Sequence, residues 1–295
     1  EKTKSFYEVN KLVEKCLEKN FNRSDVVIAF GGGVLGDFSA FVASLIKRGT
    51  NFINIPSTLL AQVDSAVGGK TGVNSKHGKN LIGTFYQPKL VICDVSLLRS
   101  LPKREMTCGY AEILKHSIIS DKIFFKWLKV NTKNLLNMKS SKLLKSAIYK
   151  SCKIKLSFVN RDIKEKNVRM ILNFGHTFAH AIEAINKFSK KINHGEAVLI
   201  GMMIALKISL IKRICTLKTY KEIKEIYDKN YLNYDSEFIN KKLKFKKLIK
   251  YMLSDKKNND KKINLILLKR IGVTTTPGSN KVTEKELLNI YPKII

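Results

Sequence analysis

Acid is scarce in this sequence: 24 Asp and Glu stand against 55 Lys and Arg, a formal charge of +31 over 295 residues. Histidine (five), proline (five) and tryptophan (one) are also sparse. No apolar run reaches the roughly 18 residues that would indicate a membrane span. The opening EKTKSFYEV lacks the apolar stretch of a signal peptide and an initiator Met, so the reading expects a chain that begins partway into a domain. Cys16, Cys93, Cys108, Cys152 and Cys215 are odd in number and widely spaced, with no CxxC among them. That excludes a zinc knuckle and points to free thiols in a reducing compartment, here the cytoplasm. The excess charge is mostly lysine, scattered and densest at KKLKFKKLIK (241–250) and DKKNNDKK (255–262). Few arginine forks are available to read bases, so the pattern suits solvated lysine faces better than a nucleic-acid groove. The field still favours an anionic substrate.

The first third alternates apolar runs with helix-like segments. The apolar run after Asp25, VVIAF, predicts a buried strand, GGGVLGD a turn, and FSAFVASLIKRG a helix ended by Gly49. NFINIP is a second strand closed by Pro56, and KLVICD a third. This order predicts a parallel sheet with crossover helices. From Leu97 helical periodicity dominates, in MTCGYAEILKHSII, KSAIYKSCKIKLSFV, GHTFAHAIEAI and GEAVLIGMMIALKISLI. The expectation is an α/β, Rossmann-like nucleotide-binding domain over residues 1–96 and a mainly α-helical domain over 97–295.

Gly31, Gly33 and Gly36 satisfy G-x-G-x-x-G between a strand and a helix, the setting of a dinucleotide fingerprint, where glycine lets the backbone approach a pyrophosphate. The acidic residue that should follow to hold a ribose is absent, and Asp37 after the last glycine is unusual, so a plain tight turn remains open. DSAVGGKTGVNSKHGKNLIG (64–83) lacks P-loop spacing; its lysines and asparagines suit a phosphorylated polyol or an ordinary polar loop. On a helix, His176, His180 and Glu183 share one face. Two histidines with a carboxylate and an open position compose a catalytic zinc site, although HxxxH lacks the Glu of a metalloprotease and also occurs in cores.

Taken in order, GGGVLGDFSAF, RGTNFINIPSTLLAQVDSAVGGKTGVN, GKNLIGTFYQP, LPKREMTCGYAEILK, RMILNFGHTFAHAIE and HGEAV resemble the 3-dehydroquinate synthase family along nearly the whole chain. The resemblance implies conversion of 3-deoxy-D-arabino-heptulosonate 7-phosphate to 3-dehydroquinate and phosphate. The implied order is transient oxidation by tightly held NAD, elimination of phosphate, reduction, ring opening and aldol closure, with a divalent zinc or cobalt ion. It assigns the metal to Glu112, His176 and His194, and proton handling to His180, with Lys115, Asp64 and Asn80 beside it in catalysis. NAD falls to Gly33, Val34, Leu35, Gly36 and Asp37, to Ser57 and Thr58, to Asp64, Lys70 and Lys79, and to the turn Leu97, Leu98, Arg99, Ser100. Glu1 and Lys4 match adenosine contacts. Substrate contacts match Lys70, Asn80, Lys155, Arg169 and Asn173, with Lys256 in the basic run near the end. Arg48 matches a phosphate contact supplied by the neighbouring subunit of a homodimer. Ser57 replaces the first Thr of the family's Thr-Thr pair and keeps its hydroxyl. The family's opening strands, with their acidic ribose contact, are missing here, so the reading expects a nucleotide domain truncated at its N-terminus and weak NAD binding. The same resemblance admits cyclases of sedoheptulose 7-phosphate or of amino-cyclitols; a polyol dehydrogenase or a basic nucleic-acid-binding protein are the more distant readings.

Overall fold

The computed structural model describes residues 3–189, 191–232, 241–254 and 262–294. It divides into two compact units: Glu1–Gly109 with Leu144–Leu156, and Tyr110–Leu143 with Ser157–Ile295. Composition changes character at Leu97, but the division falls later, inside a helix, because the first turns of that helix pack with the sheet unit.

In the first unit, helix α1 (Phe6–Glu18) is capped by the Ser5 hydroxyl, which accepts from Glu8 N. Strand β1 (Val26–Gly31) leads into helix α2 (Gly33–Leu45), and β2 (Asn51–Pro56) lies parallel to β1 in full register. β5 (Leu90–Val91) completes the order β1-β2-β5, parallel throughout. KLVICD gives only this two-residue strand, although Lys89 N and Ile92 N carry the ladder on to Phe52 O and Asn54 O. β1 is not buried on both faces as its apolar run predicts. α2 covers Ala29, while Val26, Ile28 and Phe30 on the other face stay exposed, Phe30 at 60%. Period-2 alternation cannot be seen when every position is apolar.

α2 also stops short of the predicted Gly49: a 3₁₀ turn, Ile46–Arg48, follows it, with Lys47 at φ 50° and Arg48 at φ 65°. The polar stretch 64–83 forms an antiparallel hairpin rather than a loop, β3 (Val73–Ser75) with β4 (Gly78–Ile82). Val73 of the hairpin joins Val9, Phe41, Val42 and Ile46 in one core cluster of this unit.

The second unit is mainly helical. It takes most of α3 (Lys103–Ser120), α4 (Lys122–Leu136) and the end of α5 (Ser141–Val159), then α6 (His176–Ile185), α7 (His194–Ile211), α8 (Leu217–Lys229) and α9 (Lys242–Ser254). Two short antiparallel pairs follow: β6 (Ile263–Asn264) with β9 (Lys281–Val282), and β7 (Leu268–Arg270) with β8 (Val273–Thr274). Among the described residues α7 alone is long and apolar enough to cross a membrane; 72% of it is buried, as in a core helix. α6 packs along α7 and against α9.

Candidate functional site

Three elements of the second unit bring Glu112, His176 and His194 together. Glu112 lies within α3 and is 0% exposed. His176 is the first residue of α6, where Gly175 turns the chain at φ 80°. His194 is the first residue of α7, whose start is fixed by a capping box: Asn193 accepts from Glu196 N, and Glu196 accepts from Asn193 N. Glycine lets the two helices meet. A Cβ on Gly201 would lie 2.2 Å from Gly175 O, and one on Gly175 would lie 2.7 Å from Met202 N.

Glu112 Oε1 is then 3.4 Å from His176 Nε2 and 3.7 Å from His194 Nε2. Bonds of about 2.0–2.1 Å at tetrahedral angles separate two ligands by about 3.4 Å, so the spacing fits one small cation. One ligand atom from each of the three side chains lies within 4.8 Å of the others. Both Glu112 oxygens are sealed from solvent without a well-placed hydrogen-bond donor. An apolar core pair would not leave a buried carboxylate in that state, so the donor set fits a divalent ion.

Lys115, one turn on and 2% exposed, pairs with Glu112. Burial opposes ionisation of Glu112, but Lys115 and then His176 and His194 outweigh it and hold the carboxyl well below its usual range. Burial and Lys115 push the His176 imidazole down despite Glu112. Burial also works against a charged His194, but Glu112 and Glu183 on its two nitrogens prevail and raise it to about 10. Glu183 Oε2 lies 3.2 Å from His194 Nδ1, orienting the ring that faces Glu112. His180 is exposed, and its ring meets that of His176 edge-on with centroids 5.5 Å apart.

Arg169 is 3% exposed and donates to Ile163 O at 2.6 Å. It sits in the 3₁₀ turn Val168–Asn173, held by Asp162, whose carboxylate accepts from the backbone N–H groups of Lys166, Asn167 and Arg169. Asn173 donates to Glu165 at 2.8 Å. The sequence reading assigned no role to Asp162 or Glu165, and the distances at which they act, four to eight residues along an irregular turn, carry no periodic signal.

In the first unit the glycine turn packs against the end of β2. Ser57 N donates to Gly31 O, a Cβ on Gly32 would lie 3.4 Å from Thr58 Cγ2, and one on Gly33 would lie 2.7 Å from Ser65 Oγ. Gly33, Val34, Leu35, Gly36 and Asp37 form the first turns of α2, beside Ser57 and Thr58. Lys4 is buried and donates to Asp37 Oδ2 and Asn80 Oδ1, both at 2.6 Å. Burial pushes the Asp37 carboxyl up while Lys4 pulls against it. Asp64 lies in a π-turn, Ala61–Ser65, and Lys155 from α5 donates to its carboxylate at 2.6 Å and to its backbone carbonyl at 2.5 Å. Lys79 and Asn80 lie on β4 and Lys70 on the segment before the hairpin. Leu97, Leu98, Arg99 and Ser100 fall in the 3₁₀ turn Val95–Ser100, with the Leu98 side chain wholly buried, which leaves only its backbone to meet a ligand. Arg48 is exposed. Glu1 and Lys256 lie outside the described residues.

Residues 1–108 match the family model of the 3-dehydroquinate synthase N-terminal domain, and 109–258 that of the C-terminal domain. A 3-dehydroquinate synthase of Pelagibacter ubique (strain HTCC1062) is 53% identical over 99% of this chain and 78% of its own length. Among solved structures, ValA, the 2-epi-5-epi-valiolone synthase of Streptomyces hygroscopicus subsp. jinggangensis 5008 with NAD+ and Zn2+ bound, superposes at TM-score 0.88 with 26% identity, covering 100% of this chain and 80% of that one. A 2-deoxy-scyllo-inosose synthase complexed with carbaglucose-6-phosphate, NAD+ and Co2+ gives 0.87 with 27% identity, covering 99% and 79%.

Proposed function

This chain belongs to the 3-dehydroquinate synthase family, and from that premise we infer that it converts 3-deoxy-D-arabino-heptulosonate 7-phosphate to 3-dehydroquinate and phosphate. The observation that carries the chemistry is the fully buried Glu112 carboxylate at 3.4 and 3.7 Å from two imidazole nitrogens. Glu112, His176 and His194 hold a divalent cation in this reading, and Gly33 to Asp37 with Ser57 and Thr58 hold NAD. When bound, NAD takes up and returns a hydride and the cation polarises the carbon–oxygen bond at the reacting carbon.

The remaining work falls to the chain's own side chains. Lys115 keeps Glu112 ionised. His180, exposed one turn after His176, exchanges protons through its ring with the substrate's hydroxyls. Arg169 offers a bidentate fork to a carboxylate or phosphate, and its own backbone is fixed by Asp162. Lys155, fixed by Asp64, supplies a second cation for phosphate. We place the enzyme in the cytoplasm, as a homodimer in which Arg48 reaches the partner's substrate.

The test is release of inorganic phosphate from 3-deoxy-D-arabino-heptulosonate 7-phosphate by the metal- and NAD-loaded protein, with 3-dehydroquinate formed and no NADH accumulating. Turnover of sedoheptulose 7-phosphate instead would assign the chain to a different sugar-phosphate cyclase; accumulating NADH would indicate a dehydrogenase.

A further inference from the structure

Two of the five thiols meet at one oxygen. Cys93, just past β5, and Cys152, in α5, both lie in the first unit and are half-buried. Each sulfhydryl points at the backbone carbonyl of Gln62, Cys152 Sγ at 3.2 Å and Cys93 Sγ at 3.8 Å. Sharing one acceptor, the two sulfurs are near neighbours. Neither has a role in the reaction above. Gln62 is 0% exposed and belongs to the π-turn that carries Asp64, and Cys152 is one helical turn before Lys155, the partner of Asp64.

We propose that Cys93 and Cys152 form a reversible intramolecular disulfide under hydroperoxide, and that closing it displaces Asp64 and Lys155. The steps balance. The Cys93 thiolate attacks the peroxide oxygen, giving a sulfenic acid and, with one proton, water. Cys152 then displaces hydroxide from that sulfur, which leaves with the Cys152 proton as a second water. Two thiols are oxidised by two electrons and one peroxide is reduced. A dithiol reverses the reaction by exchange.

Cys93 is the attacking sulfur: the neighbouring Cys152 draws the pKa of the Cys93 thiol down against the effect of burial, while Cys93 and burial push that of Cys152 up. A bonded pair of sulfurs needs a separation of about 2.05 Å and carries no proton. The Gln62 carbonyl therefore loses both donors, and α5 is drawn toward the segment after β5, on the side from which Lys155 reaches Asp64. Displacements of this kind cost on the order of 10- to 100-fold in turnover. That consequence rests on the function proposed above; the disulfide itself does not.

The experiment treats the loaded protein with stoichiometric hydrogen peroxide, alkylates under denaturing conditions and maps the peptides, with phosphate release measured in parallel. A Cys93–Cys152 linked peptide is expected, with three alkylated cysteines left, a fall in phosphate release of 10-fold or more, and recovery of both with dithiothreitol. Cys93→Ser and Cys152→Ser each keep a hydroxyl for Gln62 and should retain activity before and after peroxide. Full alkylation of Cys93 and Cys152 after peroxide, or a link between another pair, overturns the proposal. A linked peptide with undiminished phosphate release overturns the displacement of Asp64 and Lys155. A protein that forms the link but never releases phosphate counts against the proposed reaction and upholds the thiol site.

Discussion

Replacing Gly201 by alanine sets two opposed effects in competition. Alanine in a helix interior gains roughly 0.5–1 kcal/mol over glycine through propensity. The added methyl, however, would lie 2.2 Å from Gly175 O and 3.1 Å from Ala179 N, backbone atoms that cannot rotate away. A carbon–oxygen contact relaxes at about 3.3 Å or more, so α6 and α7 must separate by about 1 Å. Overpacking of this kind costs roughly 1–3 kcal/mol, which exceeds the helical gain. For a unit of this size each kcal/mol lowers Tm by about 2–4 °C. The same movement separates His176, beside Gly175, from His194 on the helix of Gly201, while ligand distances tolerate only about 0.2 Å. Gly201→Ala should therefore melt lower and bind zinc at least about 10-fold more weakly, with all three ligands intact. Thermal denaturation of the chelator-treated protein and a zinc titration read the two effects separately. Gly278→Ala is the control: its φ is 83° but no atom lies within 4 Å of the added methyl, so it should lose stability and keep its zinc affinity. A Gly201→Ala protein as stable as its parent, with unchanged zinc binding, would refute the close approach of these helices.

Glu183→Gln leaves the metal set intact but weakens the hold on His194 Nδ1, and should lower zinc affinity by about 10- to 100-fold in a competition titration. The losses of stability from Asp64→Asn and Lys155→Met, measured singly, should sum to more than the loss in the double substitution, with a coupling of about 1.5–3 kcal/mol in denaturant melts; additive losses would mean the pair is not formed. Glu225 bridges Lys129 on α4 and Lys229 on α8, and these two lysines draw its carboxyl down to about 2. A depressed folded-state pKa stabilises above the unfolded value, so the Tm deficit of Glu225→Gln should be present at pH 6 and vanish as pH falls from the usual carboxylate range toward 2. A deficit that persists at the acid end would assign it to lost packing.

Much of the fold was legible because period and punctuation were: the β1–α2–β2 order follows from short apolar runs broken by glycine and proline, and α6 and α7 from helical spacing. What escaped has physical reasons. A strand apolar at every position hides which face is exposed, so β1 read as buried on both sides. The hairpin strands in 64–83, VNS and GKNLI, are too short and mixed to show an alternation. The Asp64 π-turn depends on backbone bonding that side-chain identity does not encode. In the candidate site, Glu112, His176 and His194 were named through resemblance, since the 3.6-residue period alone pairs His176 with His180 and Glu183. The fold instead turns Glu183 to His194, eleven residues on, and leaves His180 at the surface. Lys4 was matched to adenosine, yet its ammonium already serves Asp37 and Asn80.

That buried ammonium has a mechanical consequence. Lys4 joins α2 to β4, while its own carbonyl accepts from Asn74 N, so a single residue clasps the hairpin at two points. An acylating reagent that reaches this amine can do so only when the clasp has sprung open. The rate at which Lys4 is labelled, measured against the many solvated lysines around it, is thus a built-in gauge of how often the Lys79–Asn80 strand lifts away from the helix that begins at the glycine turn.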